Sequence, residues 1–145
     1  MSEHTIFVAE DDEDDQFLLK TAFASTGMSC DLVFFTNGEE LINQLASSAQ
    51  RPTLVLLDLN MPIMDGFQTL SHLRAHDAYK TMPVLVLTTS SQREDVTRAY
   101  SLGANSFITK PNQYADLTRT VLQLQQFWLM TASIPQHKKA VYPLL

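Results

Sequence analysis

Asp58 closes the apolar run Leu54-Val55-Leu56-Leu57 and is followed by Leu59-Asn60-Met61-Pro62-Ile63-Met64-Asp65-Gly66. Three other apolar runs also end in reactive side chains. Residues 5–9 end in Glu10-Asp11-Asp12, residues 83–87 in Thr88-Thr89, and residues 106–109 in Lys110-Pro111. A carboxylate can attack a phosphoryl donor and become an acyl phosphate. The transition state spreads negative charge over three equatorial oxygens. A divalent cation, the Lys110 ammonium and the Thr88 hydroxyl can each stabilise one of them, and backbone N–H groups after Asp58 and Thr88 add donors. Alone, a Thr or Lys at a strand end is commonly structural or solvated. The joint occurrence at four strand ends carries the reading.

Magnesium takes near-octahedral oxygen ligands and keeps several of its waters. Asp11 and Asp58 can each offer one carboxylate oxygen, Asn60 its backbone carbonyl, and Glu10 can hold an ion-bound water. Mn2+ can substitute. Acids this close repel one another in a partly desolvated crevice, and a dication relieves the repulsion. Lys110-Pro111 restricts the backbone before the proline and so fixes how Lys110 leaves its strand; either isomer of the bond is compatible with the sequence. Gly66 suits a turn that no β-carbon could enter.

Positioning these groups takes five strands and five helices in alternation. Strands are expected near residues 5–9, 31–35, 53–57, 84–87 and 106–109. Helix one is expected to begin at Asp14 or Asp15, either of which can cap it, and to run through Phe17, Leu18, Ala22 and Phe23 to Gly27. Helix two carries Leu41, Ile42 and Leu45 inward, and helix three Phe67, Leu70 and Leu73. Helix four covers roughly residues 93–102, and helix five starts near Asn112. Strands separated by helices of this length give right-handed crossovers and an α/β, doubly wound parallel sheet with helices on both faces.

The 145 residues suit one domain with a real core, and a net charge of −6 argues against nucleic acid or an anionic membrane as a direct partner. The single cysteine, Cys30, excludes an internal disulfide. No stretch reads as a signal peptide or bilayer span, so a cytoplasmic location is expected. Phe127, Trp128, Leu129 and Met130 are adjacent and cannot all face one core, so some of that surface needs cover from the tail or from another chain. Residues 1–130 are read as the domain and 131–145 as an extension, dimer-associated or flexible.

The assembled set (Glu10, Asp11, Asp58, Pro62, Gly66, Thr88, Phe107 and Lys110-Pro111) resembles the receiver domain of two-component response regulators over roughly residues 4–126. The resemblance implies a flavodoxin-like sheet of order 2-1-3-4-5. It implies phosphotransfer from a sensor histidine kinase to Asp58 with Mg2+, in a signalling protein that catalyses only its own phosphorylation and dephosphorylation. Thr88 and Phe107 would be the switch pair, remodelling the face of helix four, strand five and helix five for a downstream protein. Two departures stand out: Thr89 where a smaller residue is common, and Phe107 where many members have tyrosine. The acid-rich start at residues 10–15 and the ending Phe127-Trp128-Leu129…Ile134-Pro135 are similar to single-domain regulators linked to bacterial phytochromes. That implies a bacteriophytochrome kinase and a homodimer using Phe127, Trp128 and Leu129. With only about twenty residues after the receiver pattern, a stand-alone regulator is expected, its output another protein, the dimer itself or onward phosphotransfer.

Two other readings compete. A Mg2+-dependent phosphohydrolase with an aspartyl-phosphate intermediate commonly carries an acid two residues after the nucleophile; that position is Asn60. A phosphorylation-independent interaction module does not need the intact Asp11, Asp58, Thr88 and Lys110. A flavin-binding protein fits less well, because the acids after strand one repel phosphate. His72 and His76, four apart, lack an evident third metal ligand.

Overall fold

A computed structural model describes residues 4–48 and 50–135. Strands β1 (Thr5–Ala9), β2 (Asp31–Phe35), β3 (Leu54–Leu57), β4 (Val84–Thr88) and β5 (Ser106–Thr109) alternate with helices α1 (Glu13–Ser25), α2 (Gly38–Ser47), α3 (Gly66–Ala75), α4 (Arg93–Ser101) and α5 (Tyr114–Gln125). All strand pairs are parallel and the order is β2-β1-β3-β4-β5, as expected of the flavodoxin-like fold. The inner strands β1, β3 and β4 are buried at every position. Helices cover both faces, so these strands can be apolar without alternation. One core packs Phe7, Val55, Leu57 and Val86 against α2 and α3. The other packs Ile6, Val8, Leu56 and Leu85 against α1 and α5.

The chain turns back at β1 and β3, and a crevice opens beyond the carboxyl ends of strands at such a reversal. Ala9 pairs with Leu57, so the next residues, Glu10 and Asp58, leave the sheet side by side. Thr88 pairs with Thr109, which sends Lys110 out of the same edge. Register thus converts four separate strand ends into one site.

Several local expectations change. Asp12 caps α1, accepting from the N–H groups of Asp14 (2.8 Å) and Asp15 (3.0 Å), so the helix starts two residues early. That start turns Phe17 (67% exposed) and Leu18 outward and Leu19 inward with Ala22 and Phe23. Helix α5 begins at Tyr114 rather than Asn112, and strand β4 includes Thr88. After α5 the chain widens into a π-helical turn, Gln126–Thr131. There Trp128 and Leu129 lie against the second core, while Phe127 and Met130 point to solvent. The extension expected from residue 131 is described only to Pro135; residues 136–145 lie outside the described residues. On the outer edge, the Phe107 N–H donates to the Tyr100 hydroxyl of α4 at 3.1 Å.

Candidate functional site

Asp58 is held at the tip of β3 by its own N–H, which donates to the Ala9 carbonyl at 3.0 Å. Asp58 is only 8% exposed. One oxygen, Oδ1, accepts the Leu59 N–H at 2.7 Å and a long bond from the Asn60 N–H at 3.5 Å. The other, Oδ2, faces the Lys110 ammonium at 3.5 Å. The carboxyl is thus oriented by backbone on one side and faces an ammonium on the other.

The loop that follows is shaped by close approach. A β-carbon on Gly66 would lie 2.7 Å from the Leu59 Cα and 3.0 Å from the Asp58 carbonyl carbon, so only glycine lets α3 begin directly behind Asp58. The Gly66 N–H donates to the Leu59 carbonyl at 3.0 Å. Asp65 caps α3 in a reciprocal pair with Gln68. Between them, the Met64 N–H donates to the Pro62 carbonyl at 2.7 Å. This three-residue turn leaves Ile63 at φ 66°, a strained value for a β-branched residue.

Glu10 is the most buried acid at the site, 2% exposed. Its backbone joins the sheet through the Phe35 carbonyl, and its own carbonyl accepts the Gln16 amide at 2.6 Å. Burial pushes its carboxyl from 4.5 up to about 7; the Lys110 hydrogen bond opposes the rise and the Asp58 charge adds to it. Lys110 is ion-paired with Glu10 and, at 3.1 Å, with Asp15. Burial would lower its pKa, but the Glu10 hydrogen bond and the Asp58 and Glu10 charges outweigh burial and raise it, so the ammonium stays charged. Its trans bond to Pro111 follows an N–H that donates to the Thr88 carbonyl at 2.6 Å.

Oxygens of Glu10, Asp11 and Asp58 lie within 4.8 Å of one another, with Asp11 exposed at the mouth. Asp11 and Asn60 line the same open cavity. Three hard, anionic oxygens without nitrogen or sulfur fit Mg2+ or Mn2+ rather than softer metals. Thr88 is fully buried, its hydroxyl accepting the Ser90 N–H at 3.4 Å. Phe107 is half-buried against the first core.

Glu10, Asp11, Asp58 and Lys110 are therefore brought together. Phe127, Trp128 and Leu129 lie on the π-helical turn instead, with Trp128 and Leu129 lining a second cavity beside His4 and Pro52. Sequence reasoning missed two partners. Asp15 is a cap candidate in the sequence, but a helix starting at Glu13 puts it in reach of Lys110; the signal is Asp12, an equally good cap three residues before it. Arg98 of α4 lines the cavity with Asp11 and Asn60, and nothing local in the sequence marks it.

Comparisons with known proteins agree on one family. The model of the response regulator receiver domain matches residues 6–122. The chain is 34% identical over 128 residues to the probable methanogenesis regulatory protein FilR2 of Methanothrix harundinacea, covering 86% of this chain and 83% of that protein. It is 32% identical over 135 residues to the response regulator Rcp1 of Synechocystis sp., covering 90% and 92%. The crystal structure of Mn2+-bound Rcp1 superposes with a TM-score of 0.83 at 31% identity, covering 92% and 99% of the two chains. The phosphorylated cyanobacterial phytochrome response regulator RcpA superposes with 0.87 at 34% identity, covering 93% of this chain and 100% of that one. Fold, strand-end chemistry and likeness along nearly the whole chain converge: this protein belongs to the response regulator receiver domain family of two-component signalling.

Proposed function

We propose that Asp58 accepts a phosphoryl group from the phosphohistidine of a sensor kinase. The observation that carries this reading is the state of its carboxylate: Oδ1 pinned by backbone N–H groups, Oδ2 facing Lys110, and Glu10 and Asp11 within 4.8 Å. Oδ2 attacks phosphorus, the N–P bond breaks, and the imidazole leaves with the bonding pair. Asp11, Asp58 and the Asn60 carbonyl would hold Mg2+, with Glu10 reaching it through a water; when bound, the ion neutralises charge on the phosphoryl oxygens. Lys110, kept charged by Glu10 and Asp15, pairs with the same group. The Leu59 N–H stays on Oδ1, while the Asn60 N–H, at 3.5 Å from it, is the looser donor.

The output runs through Thr88 and Phe107. Turning the Thr88 hydroxyl toward the phosphoryl group releases the Ser90 N–H and frees space for the half-buried Phe107 ring. Because the Phe107 N–H is tied to Tyr100, a change at that strand is passed to α4. The likeness to RcpA favours a phytochrome-type kinase as the donor. Exposed Phe127 and Met130 favour a homodimer through the end of α5, and a downstream protein would read the α4–β5–α5 face.

Mass spectrometry after incubation with acetyl phosphate and Mg2+ tests the acceptor. One phosphoryl group is expected on Asp58, and none on the Asp58→Asn variant. Equal labelling of the two would overturn the assignment.

A further inference from the structure

Arg98 raises a question the acceptor chemistry does not answer. It lies on α4, and Glu94 stands four residues before it, the favourable order for an ion pair along a helix. No such pair forms. The guanidinium instead lies over the Phe67 ring, 4.0 Å from its centroid, where ring and cation attract. Phe67 is a core residue just behind the nucleophile loop, 8% exposed, so the ring is a fixed platform. Among the described residues the guanidinium makes no hydrogen bond and no ion pair, and its five N–H donors are uncommitted.

The ring places Arg98 on the wall of an open cavity of about 540 Å³, shared with Asp11, Asn60, Pro62 and Asp65. Arg98 is the one cation among the described residues lining it. The opposing charges are acids: Asp11 at the mouth and Asp65, already engaged as the cap of α3. Lys110 does not line this cavity and is already ion-paired with Glu10 and Asp15. A phosphorylated donor therefore approaches through a field of carboxylates and meets one unpaired, planar cation, of the type suited to phosphate oxygens.

We propose that Arg98 is the donor-capture residue of this site: braced on Phe67, it binds a phosphoryl oxygen of the incoming donor before transfer to Asp58. The inference rests on Asp58 being the acceptor. Its occupant is an anionic phosphoryl compound, whether a small acyl phosphate or a phosphorylated side chain. The exposed position at the cavity wall suits the donor before transfer rather than the product, since Asp58 itself is nearly closed off.

Initial rates of Asp58 phosphorylation, measured over a series of acetyl phosphate concentrations at saturating Mg2+, test it. Arg98→Gln is expected to raise the half-saturating donor concentration about 3- to 10-fold, the range for losing one charge-assisted bond at an exposed site, and to leave the maximal rate within about twofold. Arg98→Lys should recover part of the loss. The gap between wild type and R98Q should shrink in about 1 M salt, where charges are screened within about 3 Å. Unchanged half-saturation in R98Q overturns the proposal, as does a loss confined to the maximal rate or one that salt leaves untouched. Labelling of Asp58→Asn in the same assay would instead overturn the acceptor reading, so the two failures are distinct.

Discussion

Lys110 stands 3.5 Å from Asp58, at the outer limit of a hydrogen bond, and is bound more closely to Glu10. The ammonium is therefore held by the buried acid beside Asp58 rather than by Asp58 itself. In the proposed phosphotransfer this cation would already stand beside the incoming phosphoryl group. Glu10 carries the cost, because in a desolvated place its charge is met only by the Lys110 ammonium and the Asp12 N–H at 3.1 Å.

Glu10 should make stability fall with pH in metal-free protein. Its folded pKa, about 7, lies above the unfolded 4.5, so between those values the folded state holds the proton more tightly. The stabilising contribution is complete below about pH 4.5 and is lost as pH rises through about 7. That rise in pKa converts to on the order of 3 kcal/mol. Denaturant unfolding of wild type and Glu10→Gln across that window should show the wild type losing stability relative to the variant as pH rises. Parallel curves would refute it.

Gly66→Ala should cost about 2 kcal/mol, the usual range for forcing atoms into a packed site. The added carbon meets backbone of Leu59 and Asp58, which cannot swing away as a side-chain tip could. At about 2–4 °C per kcal/mol for a chain of this size, the melting temperature should fall by roughly 4–8 °C. Phosphorylation should slow as well, since the atoms that shift carry the acceptor. A variant matching wild type in both measurements would contradict the steric account.

Ile63→Gly should stabilise the protein. Relief of a positive φ at a β-branched residue is worth about 1–2 kcal/mol, and the added freedom of glycine in the unfolded chain takes back about 0.5–1 kcal/mol. Ile63 is 73% exposed, so little packing is lost. A net gain of about 0.5–1 kcal/mol is expected by calorimetry; a destabilised variant would show that Ile63 has packing or a partner of its own.

The π-helical turn separates two effects. Phe127→Asp together with Met130→Asp should weaken self-association in sedimentation with little change in unfolding, since both side chains face solvent. Trp128→Ala should instead lower stability by a few kcal/mol, because its ring packs on the second core. Unchanged association in the double variant would remove the case for a dimer at this end.

Apolar runs ending in polar groups made the strands legible, and the right-handed crossover rule left few arrangements for them. The register that joins Glu10 to Asp58 is not written in either strand alone, yet the need to bring four polar ends together predicted its result. Boundaries were less visible where several residues could do the same work. Asp12, Asp14 and Asp15 are all competent caps, and choosing the first rotates α1, sends Phe17 outward and brings Asp15 to Lys110. Arg98 could not be read in advance, because a single arginine on an exposed helix gains meaning only from the ring it lies over. The widening after Gln125 was also hidden, since an α-turn and a π-turn draw on the same residues.

The tyrosine hydroxyl on the rim of the sheet has one more effect. A bare outermost strand offers donors on which a neighbouring polypeptide can zip up and start a fibril. By occupying the Phe107 N–H in the middle of a four-residue strand, Tyr100 denies that template a foothold at its centre. The exposed rim beside α4 is thereby kept from recruiting strangers.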